Sequence, residues 1–277
     1  MRRFWSLTAV FLTITTIMSL GFYRAAANVR AQGSSNTYLP YVSKAIPPTP
    51  TPIPTPQSDG LVNGSFEEGW TNMPPAPGNL INQKPNGWEY FWIEPGQPLF
   101  DSTDVAGGVP ESIHKLANQL PPDEQPGGPK ALILDGIAVY KIFHFGAPFG
   151  GELNQTIENL PPGSVWKLTV PIQVHLHGET DPYAAESSVW VNGEGGWVHG
   201  FAMGDRQWYR HERIFVVPSD GKAFIQVRVK SKWPSPKDFF IDDLRLERVE
   251  GLQAVQADRT GLRDWRLEIR DWRLTNL

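Results

Sequence analysis

Two long segments of the chain alternate apolar and polar residues, from Ser164 to His177 and from Lys222 to Lys230. The apolar set of the first segment is Trp166, Leu168, Val170, Ile172, Val174 and Leu176, and its polar set is Lys167, Thr169, Gln173, His175 and His177. In the second segment, Ala223, Ile225, Val227 and Val229 alternate with Phe224, Gln226, Arg228 and Lys230. A period of two places successive side chains on opposite faces of a strand. Both segments are therefore predicted to be strands of half-solvated antiparallel sheets, as in a β-sandwich.

Eight shorter segments also have the length and composition of strands. They run from Leu61 to Glu67, Trp88 to Ile93, Ala131 to Leu134, Ile137 to Phe145, Glu152 to Ile157, Ser187 to Asn192, Trp208 to Val217 and Asp238 to Glu247. Clusters of Gly and Pro separate them, as expected for turns. The spacing predicts an all-β jelly roll of two antiparallel sheets. One short helix is predicted from Pro110 to Leu120, inside a long Pro/Gly-rich loop from Pro95 to Pro129.

The ends of the chain have a different composition from this β-rich body, 58–250. Residues 1–31 combine Arg2 and Arg3 with a long apolar run, which predicts a signal peptide or an uncleaved anchor. Residues 32–57 form a Pro/Thr-rich linker that favours an extended polyproline conformation. The tail, 251–277, repeats Arg-Asp-Trp-Arg-Leu and is predicted to be flexible or marginally helical, with a membrane-surface or partner-docking helix as the alternative. The expected location is secreted or cell-surface, with no integral membrane domain apart from the possible N-terminal anchor.

The charge and cysteine content narrow the classes of partner. Residues 58–250 contain 25 Asp and Glu against 15 Lys and Arg, a formal charge of −10, and no basic cluster. We therefore expect no nucleic-acid partner. The chain has no cysteine, so the fold must depend on its core, aided at most by an oxygen-ligated ion. A monomer is expected.

Two motifs near the ends of the body place carboxylates beside apolar runs. Asn63-Gly-Ser-Phe-Glu-Glu-Gly-Trp70 stands near its start, and Phe239-Phe-Ile-Asp-Asp-Leu-Arg-Leu-Glu247 stands near its end. Together with Asn154-Gln-Thr-Ile157, Leu160-Pro-Pro-Gly163 and Phe215-Val-Val-Pro218, they resemble the galactose-binding-like jelly rolls, particularly the CenC-like carbohydrate-binding modules of secreted glycoside hydrolases. The resemblance covers about 61–248, and the long loop from Pro95 to Pro129 departs from it.

The resemblance implies a structural Ca²⁺ between the first and last strands. The matching carboxylates are those of Glu67 and Asp242, with Glu68 and Asp243 beside them. Calcium takes six to eight oxygen ligands, so these side chains and backbone carbonyls could complete a site. The alternative is that they are solvated residues at strand ends.

The resemblance also implies a glycan site that combines aromatic platforms with polar groups. The expected platforms are Trp92, Tyr140 and Trp190, each of which has a core position as its alternative. The expected polar groups lie on the polar faces of the two clearest strands: Gln173, His175, His177, Gln226 and Arg228.

Other chemistry is less well supported by the sequence. His175 and His177 are predicted to point the same way, and Glu179 follows two residues later, a spacing compatible with zinc or copper. Spacing alone does not establish a third ligand, and the other histidines are scattered along the chain. No catalytic motif is recognised, although several carboxylates leave a hydrolase or lyase open. The predicted function is a secreted, non-catalytic module that binds a polysaccharide or other glycan, and the alternative is a structural or adhesive surface protein. A continuous exposed aromatic strip across the polar face would favour glycan binding, whereas a sheet face covered by the loop from Pro95 to Pro129 would favour the structural alternative.

Overall fold

The computed structural model describes residues 60–74 and 80–253, with side chains to residue 249. The predicted signal peptide, the linker and the tail beyond residue 253 lie outside the described residues. Within the described part the strands are β1 (Trp70–Asn72), β2 (Gln83–Pro85), β3 (Glu89–Trp92), β4 (Glu111–Leu116), β5 (Ala138–His144), β6 (Phe149–Ile157), β7 (Ser164–His175), β8 (Ala185–Val191), β9 (Glu194–His199), β10 (Trp208–Val216), β11 (Ala223–Ser231), β12 (Lys237–Ile241) and β13 (Arg245–Gln253). A 3-10 helix spans Ala117–Gln119 and a short α-helix, α1, spans Gly200–Met203. None of the helices in these ranges is long and apolar enough to cross a membrane.

Two antiparallel sheets form a jelly-roll sandwich, which confirms the predicted fold class. One sheet has the order β10-β7-β12-β5-β4, with β13 also paired to β7, and the other has the order β3-β6-β11-β8-β9. Strands β1 and β2 form a separate two-stranded sheet. The apolar residues of β7 face those of β11 and β6 in one continuous core, as the alternation of both long segments predicts.

The prediction of a helix from Pro110 to Leu120 is wrong, because most of this segment is strand β4. Its polar residues Ser112 and His114 point inward and are buried, which inverts the usual apolar-in alternation. Ser112 Oγ donates to the backbone oxygen of Gln83 at 3.1 Å, so a hydrogen bond replaces the missing apolar contact. Pairing with β5 along the whole of β4 then fixes the extended conformation. The predicted strand at Ala131–Leu134 is not a strand in the structure.

The first motif is an irregular turn segment and not a strand, because its side chains bind the backbone around it. Asn63 Oδ1 accepts from the backbone nitrogen of Glu68 at 2.9 Å, and its Nδ2 donates to the oxygens of Gly69 and Asn86. Asn63 and Phe66 have φ angles of 53° and 61°, which strands do not adopt. The two ends of the body are nevertheless adjacent, since the nitrogen of Leu244 donates to the oxygen of Gly64 at 3.0 Å.

The second motif is split into two strands by a break at residues 242–244. Strand β12 pairs with one end of β7, where Ile241 faces Ile172, and β13 pairs with the other end, where Arg245 faces Thr169. The register shifts by one residue across the break, and Asp243 takes a φ of 55°, as in a β-bulge. Pro171 of β7 lies opposite the break and has no N–H to give to a partner. The break turns the side chain of Asp242 inward.

Candidate functional site

The residues predicted to bind a glycan are divided between two opposite outer faces of the sandwich. Gln173 and His175 belong to β7 in the six-stranded sheet, whereas Gln226 and Arg228 belong to β11 in the five-stranded sheet. The apolar residues of both strands face the common core, so the polar residues point away from each other. One site cannot include both sets.

The outer face of the six-stranded sheet is largely covered. Gln173 and His175 are each 4% exposed. They flank Phe240 of β12, which packs with Leu120, Leu132, Ile133 and Val139 in a second apolar cluster formed by the segment after β4. Trp208 closes the cluster by donating from Nε1 to the oxygen of Ala131 at 3.1 Å. His177, beyond the end of β7, is the member of the predicted set that remains accessible on this side.

Of the predicted aromatic platforms, Tyr140 is closed to a ligand and Trp92 is half-buried. Tyr140 is 0% exposed and lies in the core, where its hydroxyl donates to the oxygen of Gln83 at 2.8 Å. The prediction that Tyr140 is a platform is therefore wrong. Trp92 is partly buried against the core, and its Nε1 donates to Glu94 Oε1 at 2.9 Å.

The outer face of the five-stranded sheet holds a polar network centred on Glu152 of β6. Glu152 Oε1 accepts from Gln226 Nε2 at 3.1 Å and from Asn154 Nδ2 at 3.0 Å. Its other oxygen accepts from Nε of Arg228. Arg228 faces Glu152 across one ladder, and Gln226 faces Trp190 across the other. The predicted residues Gln226, Arg228 and Trp190 therefore lie together, and Glu152 and Asn154 join them.

Aromatic rings surround this network on the same face. Phe91, opposite Glu152 on β3, is 53% exposed, and Phe224 of β11 is 37% exposed. The indole of Trp190 lies over β9, because a Cβ on Gly195 would come within 2.5 Å of its ring. Phe91 and Trp190 are separated by the two central strands, which corresponds to roughly 14 Å at normal strand spacing. We call the surface formed by Phe91, Glu152, Asn154, Trp190, Phe224, Gln226 and Arg228 the aromatic face.

A loop between β3 and β4 covers one end of this sheet. Phe100 of this loop has a φ of 57°, and its ring lies 5.3 Å from that of Trp197 on β9. Below it, Lys230 Nζ sits 3.7 Å from the ring centroid of Trp197 and 3.0 Å from Glu186. The loop thus closes one end of the aromatic face and leaves Phe91 and Phe224 exposed. Trp190 is half-buried, and Arg228 lies between its ring and that of Phe100, at 5.4 and 5.2 Å.

The carboxylates predicted to bind calcium meet at one backbone segment, 134–138. Glu67 Oε1 accepts from the nitrogens of Ile137 and Ala138 at 2.8 and 2.7 Å. Asp242 Oδ2 accepts from Leu134 and Asp135 at 2.6 and 3.2 Å. Asp243 pairs instead with Arg245 at 2.8 Å, and Glu68 is exposed.

Asp242 is the most buried of these carboxylates, with 0% exposure. Burial raises its pKa to about 8, against the opposite effect of three backbone N–H donors. A carboxylate offers about four lone-pair positions, so Asp242 and Glu67 retain acceptor capacity beyond these bonds. A hard cation that prefers oxygen ligands is compatible with that chemistry.

No family model and no curated protein matches the chain. Among solved structures, TmCBM61 in complex with beta-1,4-galactotriose is 19% identical, with a TM-score of 0.43 over 69% of this chain and 98% of that one. The CBM22-1 xylan-binding domain from Paenibacillus barcinonensis is 9% identical, with a TM-score of 0.30 over 58% and 95%. The enzymatically active domain of Bacteriophage CBA120 tailspike protein 4 is 13% identical, with a TM-score of 0.38 over 69% of this chain but 21% of that one. Similarities at this level do not assign a function, so the function has to be inferred from the side chains of this chain.

The sequence reasoning missed Phe91, Glu152, Asn154 and Phe224. A partial signal was present for two of them, since Glu152 and Asn154 flank the apolar Leu153 on β6. The polar Gln155, which is buried, interrupts the alternation in that segment. Glu152 and Asn154 belong to the aromatic face because β6 pairs with β11.

Proposed function

We propose that this protein is a non-catalytic module that binds a glycan on the aromatic face. The observation that carries the proposal is the placement of Phe91, Trp190 and Phe224 around a hydrogen-bonded Glu152, Asn154, Gln226 and Arg228 network on one side of one sheet. Pyranose rings have apolar faces that stack on aromatic rings and hydroxyl groups that need amide and charged partners. The aromatic face supplies both kinds of group on a rigid support.

Two features of the aromatic face bear on its ligand, the order of the polar network and the distance between its aromatic rings. Glu152 fixes Gln226, Asn154 and Arg228 in place, so their remaining donors and acceptors are oriented before a ligand arrives. A preorganised site loses less side-chain entropy on binding. The separation between Phe91 and Trp190 spans the two central strands, so we propose that the ligand is an oligosaccharide or polysaccharide chain and not a single sugar.

The test is binding of the full chain to a polysaccharide array, followed by titration calorimetry on the best glycan. Phe91→Ala and Trp190→Ala are each expected to weaken binding about tenfold or more, as for a central aromatic contact. Phe145→Ala is the matched control, because Phe145 is an aromatic residue that is 85% exposed in the turn between β5 and β6, outside the aromatic face. Circular dichroism has to show that all variants remain folded. No retention on any glycan by the folded protein would refute the proposal, as would equal losses in all three variants.

Binding without turnover is part of the proposal. Both oxygens of Glu152 are taken up by hydrogen bonds to neighbouring side chains, an arrangement that suits a fixed acceptor better than a general acid that must give up a proton. The expected result is that a bound glycan incubated with the protein yields no new reducing ends. Release of reducing ends that disappears in Glu152→Gln would show instead that the face is catalytic.

We also propose export of the protein, with a Pro/Thr-rich spacer before the domain, on the basis of residues 1–57 of the sequence. A secreted form that begins after residue 25 would support cleavage of a signal peptide. Retention of Met1-Arg2-Arg3 in membranes would support an anchor. N-terminal sequencing of the exported and membrane fractions distinguishes the two.

A further inference from the structure

Three potential metal ligands meet on the six-stranded sheet, on the opposite outer side from the aromatic face. They are His175 at the end of β7, His177 two residues later, and Asp238 of β12, which lies directly opposite His175 in the ladder. One ligand atom from each lies within 4.8 Å of the others. His177 lies two residues beyond the end of β7 and takes a φ of 51°. Its Nε2 nevertheless reaches Asp238 Oδ2, at 2.9 Å.

The surroundings of His175 orient its ring for coordination. Its Nε2 is 2.8 Å from Gln173 Oε1, and the tautomer that carries its hydrogen on Nε2 would donate to this oxygen and leave the Nδ1 lone pair for a metal. The ring also packs 4.7 Å from that of Phe240. In protein metal sites, the ring nitrogen of histidine that does not bind the metal usually donates to a hydrogen-bond acceptor, which fixes the tautomer and the ring plane.

Asp238 can serve as a ligand with one oxygen while the other keeps its present partner. Oδ2 is 2.9 Å from His177 Nε2, and Oδ1 is 3.1 Å from Lys141 Nζ. A zinc ion with bonds of about 2.0–2.2 Å holds its ligand atoms roughly 4 Å or less apart, so a small rotation of His177 would suffice. Two positive charges oppose a cation here, the ammonium group of Lys141 beside Asp238 and the guanidinium group of Arg206, which acts on His175. The carboxylate of Asp205 acts on His175 in the opposite sense.

Glu179, the ligand that the sequence spacing suggested, is used elsewhere. Its Oε2 accepts from Ser235 at 3.0 Å and lies 3.8 Å from Lys237 Nζ. The structure therefore replaces Glu179 with Asp238, a residue 61 positions away from His177.

We propose that His175, His177 and Asp238 bind a zinc ion, with a fourth position left for water or an external ligand. Two imidazoles and one carboxylate form a ligand set of intermediate hardness that suits zinc better than calcium or magnesium. The ligands come from the end of β7 and from β12, so the ion would join these two strands. A metal that binds only the folded state also stabilises that state. The site lies on the other sheet from the proposed glycan site, and neither depends on the other.

The test titrates Zn²⁺ into the full-length protein by calorimetry and follows thermal unfolding with and without the metal. The wild type is expected to bind one Zn²⁺ per chain at this site and to unfold at a higher temperature when it is bound. His177→Asn removes a ligand while keeping a residue type that tolerates the left-handed conformation, and Asp238→Asn removes the charge with little change in shape. Each is expected to lower Zn²⁺ affinity at least tenfold and to abolish most of the thermal shift. His199→Asn is the control, since His199 lies on β9 of the other sheet.

Several results would overturn the proposal. They are no heat of binding and no thermal shift in the wild type, affinities in both variants equal to that of the wild type, or a loss in His199→Asn as large as in His177→Asn. An identical thermal shift with Ca²⁺ that disappears in His177→Asn would contradict the choice of zinc. Asp238→Asn also removes the partner of Lys141, so His177→Asn decides the outcome if Asp238→Asn fails to fold.

Discussion

Single buried imidazoles make the interior of this protein sensitive to acid. His114 is 5% exposed, and neither ring nitrogen has a hydrogen-bond partner within the described residues. Its ring stacks on that of Trp70 at 4.5 Å, and burial lowers its pKa to about 4. His211 is also buried, and burial lowers its pKa to about 4 as well. Both residues are therefore neutral in the folded protein at neutral pH.

Replacing His114 by Phe tests this sensitivity. An unfolded histidine takes up its proton near pH 6.5, whereas folded His114 remains neutral until about pH 4. Between these values the unfolded state binds more protons, so stability falls as pH falls. Relative to His114→Phe, the wild type is expected to lose about 2 kcal/mol of unfolding free energy between pH 7 and pH 5, as an upper limit. Urea unfolding at both pH values measures the difference, and His199→Asn is the control. Parallel pH profiles for wild type and His114→Phe would contradict the expectation.

Sequence alone located some site residues and misplaced others for a clear physical reason. The period of two correctly placed Gln226 and Arg228 on an outward strand face. The same period cannot tell a core aromatic residue from an exposed one, so it does not reveal that Tyr140 is buried. Phe91 was missed because it is an apolar residue that points outward, which becomes visible only when the face of β3 is known.

The loop between β3 and β4 is the element that bounds the aromatic face, and a glycine under it determines how closely it packs. A Cβ on Gly150 would lie 2.8 Å from Ile93 Cγ1 and 3.0 Å from Phe100 Cε2. Contacts this short force side chains or backbone to move. Gly150 therefore permits Phe100 to rest on the sheet.

Gly150→Ala is expected to destabilise the protein by about 1–3 kcal/mol through overpacking and to loosen the loop. Limited proteolysis measures how readily the loop between β3 and β4 is cleaved, and denaturant unfolding measures the free energy of unfolding. Gly146→Ala is the matched control, because a Cβ there would meet nothing within 4 Å and it is expected to behave as the wild type. If Gly150→Ala is as stable and as protease-resistant as Gly146→Ala, the loop does not depend on this contact.

Element boundaries were predictable where local pattern and long-range pairing agree. Strands β7 and β11 are long and alternate regularly, and both exist as predicted. The segment at β4 begins with a proline and ends before two more, which favoured a helix, yet pairing with β5 overrides that local preference. The run from Phe239 to Glu247 gives no signal of the break between β12 and β13, because the break lies opposite Pro171 of β7, a residue far away in sequence.

At the scale of the whole molecule, topology decided what local pattern could not. Strands β7 and β11 have the same alternation, and nothing in that pattern assigns them to different sheets. Because the two strands belong to different sheets, the predicted ligand residues are divided between two outer faces. The segment after β4 covers the outer face of the six-stranded sheet, whereas the outer face of the five-stranded sheet is partly open and exposes Phe91 and Phe224 beside the polar network. The open face is the one that can reach an external ligand, so glycan binding is the function we favour.

The junction of the two chain ends provides the last prediction, because Glu67 and Asp242 hold the same 134–138 segment from opposite ends of the sequence. We propose that Ca²⁺ occupies the remaining acceptor positions of these two carboxylates. Addition of Ca²⁺ after chelation is then expected to raise the unfolding free energy by about 2.7 kcal/mol at a hundredfold excess over its dissociation constant, and Glu67→Gln should lose most of this gain. Thermal unfolding in His177→Asn, which lacks the proposed zinc site, isolates the effect. If calcium leaves the unfolding temperature unchanged while Glu67→Gln is harmless, Glu67 and Asp242 act as acceptors for backbone N–H groups, without an ion.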